Sequence, residues 1–180
     1  MESYRETALA CIAEVETVIS KVDETDLDRT AQALTKARRI FVSGEGRSGL
    51  MGKAIAMRLM HANYSVFVTG ETITPSISEG DLLLLISGSA SGTESFIEKA
   101  NKAGAQVVLV TANPEIQKQE GQHTLFIPAA TKYRKAHEPE TIQPLGNQFD
   151  QSVHLLLDAI IVKLVAGEQE TMRARHANLE

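Results

Sequence analysis

This sequence predicts a three-layer αβα sandwich built on a five-stranded parallel sheet in flavodoxin-like order, on three observations. From residue 40 onward, short β-branched or leucine-rich runs alternate with stretches of helical period, the alternation that builds parallel sheets with right-handed crossovers. The run Leu82–Ile86 shows no polar alternation, as a central strand covered on both faces requires. Two of the runs stop abruptly at polar, glycine-containing turns, residues 43–49 and 87–95. In this architecture such turns lie side by side beyond the carboxyl ends of the strands, where ligands sit.

Taken in order, residues 4–22 place Ala8, Ile12, Val15, Val18 and Ile19 at helical spacing, and residues 23–28 cap a second helix running through Lys36. Two roles are open for this pair of helices (residues 1–37): covering the sheet or packing on another subunit. The α/β core, residues 38–167, opens with a strand at 40–42 and a helix carrying Met51, Ile55, Leu59 and Met60. Residues 64–69 read as a second strand, 70–80 as a loop containing Pro75, and Leu82–Ile86 as the third strand. Phe96, Ile97 and Ala100 begin a helix that ends near Gly104. Residues 106–110 make a fourth strand, and residues 123–127 a shorter fifth after a brief helix. The polar stretch 131–143, with Lys132, Arg134, Lys135 and His137, reads as a surface loop near an edge or a mouth, with a basic patch for substrate as the alternative. A long helix over 145–165 turns Phe149, Val153, Leu156, Leu157, Ile160, Ile161 and Leu164 to one apolar face. Residues 168–180 form a tail whose Leu179 suits docking, and the whole chain is expected to be a single domain.

Composition narrows the function classes. A formal charge of −5 argues against broad nucleic-acid binding, so any phosphate must be held by local backbone and hydroxyl donors. No apolar run approaches the roughly 20 residues needed to span a bilayer, and the first residues lack the layout of a signal peptide. A cytoplasmic protein without membrane contact is expected. Its one cysteine, Cys11, sits in an apolar helical pattern and reads as a buried structural thiol. The five histidines, at 61, 123, 137, 154 and 176, are scattered without metal-ligand spacing, so no metal is expected.

The chemistry concentrates in the two turns. Gly44, Gly46 and Gly49 let backbone N–H groups approach an anion at the start of the following helix. The second turn offers hydroxyls at Ser87, Ser89, Ser91, Thr93 and Ser95, with Gly88 and Gly92 between them. Capping a helix needs one hydroxyl, so five in nine residues point to a phosphate monoester.

This turn, followed by Ala100-Asn101-Lys102-Ala103-Gly104-Ala105, resembles the signature of the sugar isomerase (SIS) domains. Within them, Gly44-Glu45-Gly46-Arg47-Ser48-Gly49-Leu50-Met51, Ala56-Met57-Arg58-Leu59-Met60-His61, Gly70-Glu71, Gln143-Pro144-Leu145-Gly146 and His176-Ala177-Asn178-Leu179 are similar to the 6-phospho-3-hexuloisomerases, over nearly the whole chain. The resemblance implies interconversion of D-arabino-hex-3-ulose 6-phosphate and fructose 6-phosphate through an enediol, the second step of formaldehyde fixation by the ribulose monophosphate route. It also implies no cofactor and a homotetramer with sites near subunit interfaces. Ser48 and the segment Ser87, Gly88, Ser89, Ala90, Ser91, Gly92 and Thr93 would hold the phosphate end of the sugar, and Asp150 would transfer the proton.

The resemblance also singles out His176, since in sugar isomerases of this fold a histidine near a subunit boundary can assist ring opening or proton shuttling; its alternative is a tail histidine packed for structure. Arg47 and Glu71 are placed at the site mouth, with Arg47 alternatively pairing with a carboxylate to brace its turn. Two departures stand out: Asp150 replaces the family's usual Glu, and the hydroxyl turn is one residue longer than usual, with Ala90 where Gly is common. Without the resemblance, Asp150 reads as an exposed acid in a helix's first turn, where its charge favours the dipole. A noncatalytic SIS module that senses a phosphosugar, or an SIS isomerase for another sugar phosphate, shares the same turns.

Overall fold

The computed structural model describes residues 3–116 and 121–179; the brief helix expected ahead of the fifth strand falls on residues outside these. Five parallel strands, β1 (Ile40–Gly44), β2 (Val66–Val68), β3 (Leu82–Ile86), β4 (Gln106–Thr111) and β5 (Gln122–Phe126), pair in the order β2-β1-β3-β4-β5. This is the flavodoxin-like order. The chain winds one way from β1 and the other way from β3, so the loops after these neighbours part and leave a crevice between them.

Strand alternation sorts the core into two layers. Ile40, Val42, Leu82, Leu84, Ile86, Val108 and Val110 face one side, under α2 (Glu24–Lys36), α3 (Gly46–His61) and α5 (Asn147–Leu164). Phe41, Leu83, Leu85, Val107 and Leu109 face the other, under α4 (Glu94–Lys102). Every residue of β3 is buried, which is why that run carries no polar alternation.

Helix α1 (Tyr4–Ile19) opens on a reciprocal cap, with Glu6 N–H donating to Ser3 Oγ and Ser3 N–H to the Glu6 carboxylate. It packs against α5 and buries only Val15 and Val18. Its first half has nothing beneath it, so Leu9 and Ile12 stay exposed and Cys11 is half-buried rather than in the core. Two other boundaries move. Leu145 lies outside α5, in a turn that holds it at φ +58°. The tail forms a short helix, α6 (Gln169–Ala174), that packs on α3. It docks on its own chain: Arg175 donates to the His61 carbonyl at 3.3 Å, and the His61 and His176 rings stack 5.3 Å apart. Among the described residues, no helix is long and apolar enough to cross a membrane.

At the opposite end of the sheet Asp81 is buried, accepting from Arg38, Arg39 and the Ser78 N–H. Burial alone would raise its pKa; the bonds from Arg39, Ser78 and Arg38 outweigh that and bring it from 3.8 to about 2. A depressed carboxylate contributes stability above its unfolded value, and that stability is lost as pH falls through the folded value. Asp81 therefore contributes about 2 kcal/mol at pH 5, lost between pH 4 and 2. Denaturant melts at pH 5 and pH 2 will show that loss in the wild type, and a smaller one in Asp81→Asn.

Candidate active site

The crevice between β1 and β3 opens into a cleft of about 570 Å3. Its walls are the turn after β1, the hydroxyl turn after β3, residues 131–133 of the loop after β5, and the first turn of α5 with Leu145 and Gly146 before it.

The first wall depends on close packing between β1 and α3. A Cβ on Gly49 would stand 2.6 Å from the Gly44 carbonyl oxygen, so only glycine lets the helix start lie directly on the strand end. Ser48 and Arg47 thereby reach the cleft. In the second wall the carbonyls are drawn toward β4. Gly88 C=O accepts from Ala112 N–H and Thr111 Oγ1, and Ser89 C=O accepts from Asn113 Nδ2. Because the peptide is planar and trans, the Ser89 N–H points away from those partners. Ala90 carries φ +56° with its methyl buried beside Ile97 and Leu85. A left-handed conformation is the reason glycine suits this position, and the buried methyl offsets part of the strain.

The hydroxyls are not spent on capping. Thr93, the N-cap residue of α4, makes no side-chain cap and instead donates to the Ala90 carbonyl at 2.8 Å. Nor does a side chain cap α3 or α5, whereas α1 and α2, away from the cleft, are capped by Ser3 and Asp23. The exposed helix α6 is uncapped too. Three helix starts without a side-chain cap thus line one cleft, an arrangement that attracts an anion without requiring basic side chains.

Asp150 lies in the first turn of α5, with the residue only 6% exposed. Arg47 Nε comes within 2.8 Å of Oδ2 and pairs with the carboxylate as an ion pair. Burial pushes the carboxyl pKa up and the Arg47 charge pulls it down; the balance leaves it above its ordinary 3.8. A buried carboxylate at the cleft wall with a raised pKa is equipped to take and return a proton.

The loop after β5 is better ordered than its polar composition suggests. Thr131 is buried, its N–H and Oγ1 both donating to Glu138, and Ala130 N–H donates to Gln148 Oε1 in α5. Gln143 is buried as well; its carbonyl accepts from Arg134 and its side chain bonds both Asn147 and Glu14 of α1. Burial raises the Glu14 pKa, but bonds from Thr141, Ile142 and Gln143 and the Arg134 charge outweigh it and hold the carboxyl below its usual value. Lys135 and His137 point to solvent. Lys132, whose Nζ sits 5.0 Å from the Tyr133 ring centre, lines the cleft with Thr131 and Tyr133.

Of the residues expected at the site, Arg47, Ser48, Ser87, Gly88, Ser89, Ser91, Gly92, Thr93 and Asp150 line the cleft together. Ala90 belongs to the same turn but turns its side chain into the core. Glu71 does not line the cleft; it pairs with Lys53 at 2.8 Å on the outer face of α3. His176 stacks at the far end of α3, roughly 20 Å along the helix from the cleft. Lys132 also lines the cleft, as the basic-patch alternative for residues 131–143 would have it; Thr131, Tyr133, Gly146 and Phe149 were not singled out as site residues, although the rule that placed the first two turns also places the loop after β5.

Fold and cleft together define an open α/β protein built to hold a small phosphorylated ligand at the switch point of its sheet. The chain belongs to the SIS domain family, whose model matches residues 33–138. It is 40% identical over 167 residues to a Bacillus subtilis protein named 3-hexulose-6-phosphate isomerase, covering 88% of this chain and 89% of that one. A Mycobacterium gastri protein of the same name is 39% identical, with 93% and 86% covered. Among solved structures, a Methanococcus jannaschii protein whose structure infers that same molecular function superposes with a TM-score of 0.72 at 28% identity, covering 97% of this chain and 99% of that one.

Proposed function

We propose that this chain interconverts D-arabino-hex-3-ulose 6-phosphate and D-fructose 6-phosphate. The observation that carries the reading is the buried Asp150 carboxyl, raised in pKa, in the same cleft as the hydroxyl turn and three uncapped helix starts. The phosphate is held by Ser48 and the Ser87, Ser89, Ser91 and Thr93 turn, leaving the C2–C3 end of the sugar at Asp150. Asp150 takes the C2 proton, the C2–H electron pair forms the C2=C3 bond as the C3 oxygen takes up a proton, and the enediol then collapses to the C2 ketone as the C2 hydroxyl gives up its proton and the same carboxyl returns one to C3. Arg47 holds the carboxylate in place and balances negative charge as the enediol forms. The names of the relatives support this substrate, and the reaction occupies the second step of formaldehyde fixation in the cytoplasm. A phosphosugar sensor would need the hydroxyl turn but no buried base.

The enzyme works as a homotetramer in this reading, supported by apolar side chains left exposed on adjoining helices: Leu9 and Ile12 on α1, Leu155 and Val162 on α5, Leu50 and Met57 on α3. His176 reaches a cleft only across a subunit boundary. Light scattering at micromolar concentration will give four times 19.6 kDa.

A coupled assay with hex-3-ulose 6-phosphate, made in situ from ribulose 5-phosphate and formaldehyde, tests the function. Titration with fructose 6-phosphate tests the phosphate site: Ser48→Ala and Ser89→Ala should each lose about 1–3 kcal/mol of affinity. Unchanged affinity in both returns the two turns to a purely structural role.

A further inference from the structure

We infer that Glu14, on a helix outside the α/β unit, is a positioning residue for Asp150, clamping the turn that delivers α5 to the cleft. The inference rests on the isomerase reading above. Three donors from that turn converge on one carboxylate: Thr141 Oγ1, the Ile142 N–H at 2.8 Å and Gln143 Nε2 at 3.1 Å. Gln143 passes the constraint on, because its Oε1 accepts from Asn147 Nδ2 at 2.7 Å, and Asn147 is the first residue of α5. One turn later comes Asp150, whose N–H donates to Gly146.

The segment between needs holding. Leu145 is kept at φ +58°, a conformation that persists for a leucine only where the surroundings impose it. Helix α5 has no side-chain cap to set its own starting direction. A Cβ on Gly146 would meet Arg47 at 3.2 Å, so the turn lies hard against the residue that pairs with Asp150. The phosphate turns stand on β1 and β3, and Glu14 touches neither. Releasing the clamp therefore moves the base relative to a substrate that is still bound, and a shift near 1 Å costs about a hundredfold in rate.

Glu14→Ala and Glu14→Gln, assayed with hex-3-ulose 6-phosphate below the melting temperature of each variant, test this. In Glu14→Ala, kcat should fall roughly 10- to 100-fold with KM nearly unchanged. Glu14→Gln should lie between it and wild type, since one amide oxygen still accepts from Ile142 while its NH2 opposes Gln143. Amide hydrogen exchange at residues 142–150 should speed up in Glu14→Ala, with the start of α3 unaffected. A kcat equal to wild type, or kcat and KM failing together with the melting temperature, overturns the positioning role. If wild-type protein does not turn over the sugar, the isomerase reading fails by itself; exchange then decides the clamp, and unchanged protection at 142–150 rejects it.

Discussion

Asp150→Asn should turn over hex-3-ulose 6-phosphate roughly 100- to 10,000-fold more slowly than wild type while binding fructose 6-phosphate almost as well. Asparagine keeps the shape and removes the basic lone pair. Stability should move the other way. The Asp150 carboxyl is raised by burial despite Arg47, so its ionisation opposes folding as pH rises above 3.8, and the neutral amide avoids that cost. Arg47, with its side chain 42% exposed, can turn to water when the charge is gone. A variant that melts no lower yet has lost its rate identifies a catalytic group; one that loses binding and stability together identifies a structural one. In the wild type, kcat should fall in acid as the base protonates, with a midpoint above 3.8. Asp150→Glu should keep activity, since it retains the carboxylate. Solvent deuterium should enter C3 of fructose 6-phosphate, as an enediol route requires and a hydride shift does not.

Gly49→Ala should lower stability by about 1–3 kcal/mol and weaken phosphosugar binding with it. The new methyl would sit 2.6 Å from the Gly44 carbonyl oxygen and 3.2 Å from its carbonyl carbon. Both are backbone atoms, so relief requires lifting α3 off β1, which carries Ser48 and Arg47 out of register with the hydroxyl turn. Thermal melts and fructose 6-phosphate titration read the two consequences. Gly46→Ala is the control. Nothing lies within 4 Å of its Cβ position, and only φ +56° is unfavourable, so its cost should stay near 1 kcal/mol with smaller loss of affinity. Equal behaviour of the two variants would mean that the close approach at Gly49 is not what sets the site.

Local pattern alone made the strands and the two polar turns legible, and the alternation of strands with helices pointed to a parallel sheet of this class. Hydrophobic period and turn chemistry act between residues a few positions apart, and five hydroxyls in nine residues after a buried strand remain visible in any context. Partner choice is a matter of distance through space, and packing decides it. Arg47 met Asp150 because α3 and α5 lie side by side. Glu71, in a motif that resembled the site, was drawn instead to Lys53. The stretch 131–143 read as a solvated loop because its composition is polar. Its buried ends, Thr131 and Gln143, are satisfied by Glu138 and by Glu14, an acid from the other end of the chain. The role of α1 was open for the same reason: its sequence shows a helix with a half-apolar face. Only its docking beside α5 brings Glu14 to the turn ahead of Asp150, and local periodicity carries no information about a contact between residues so far apart in the chain.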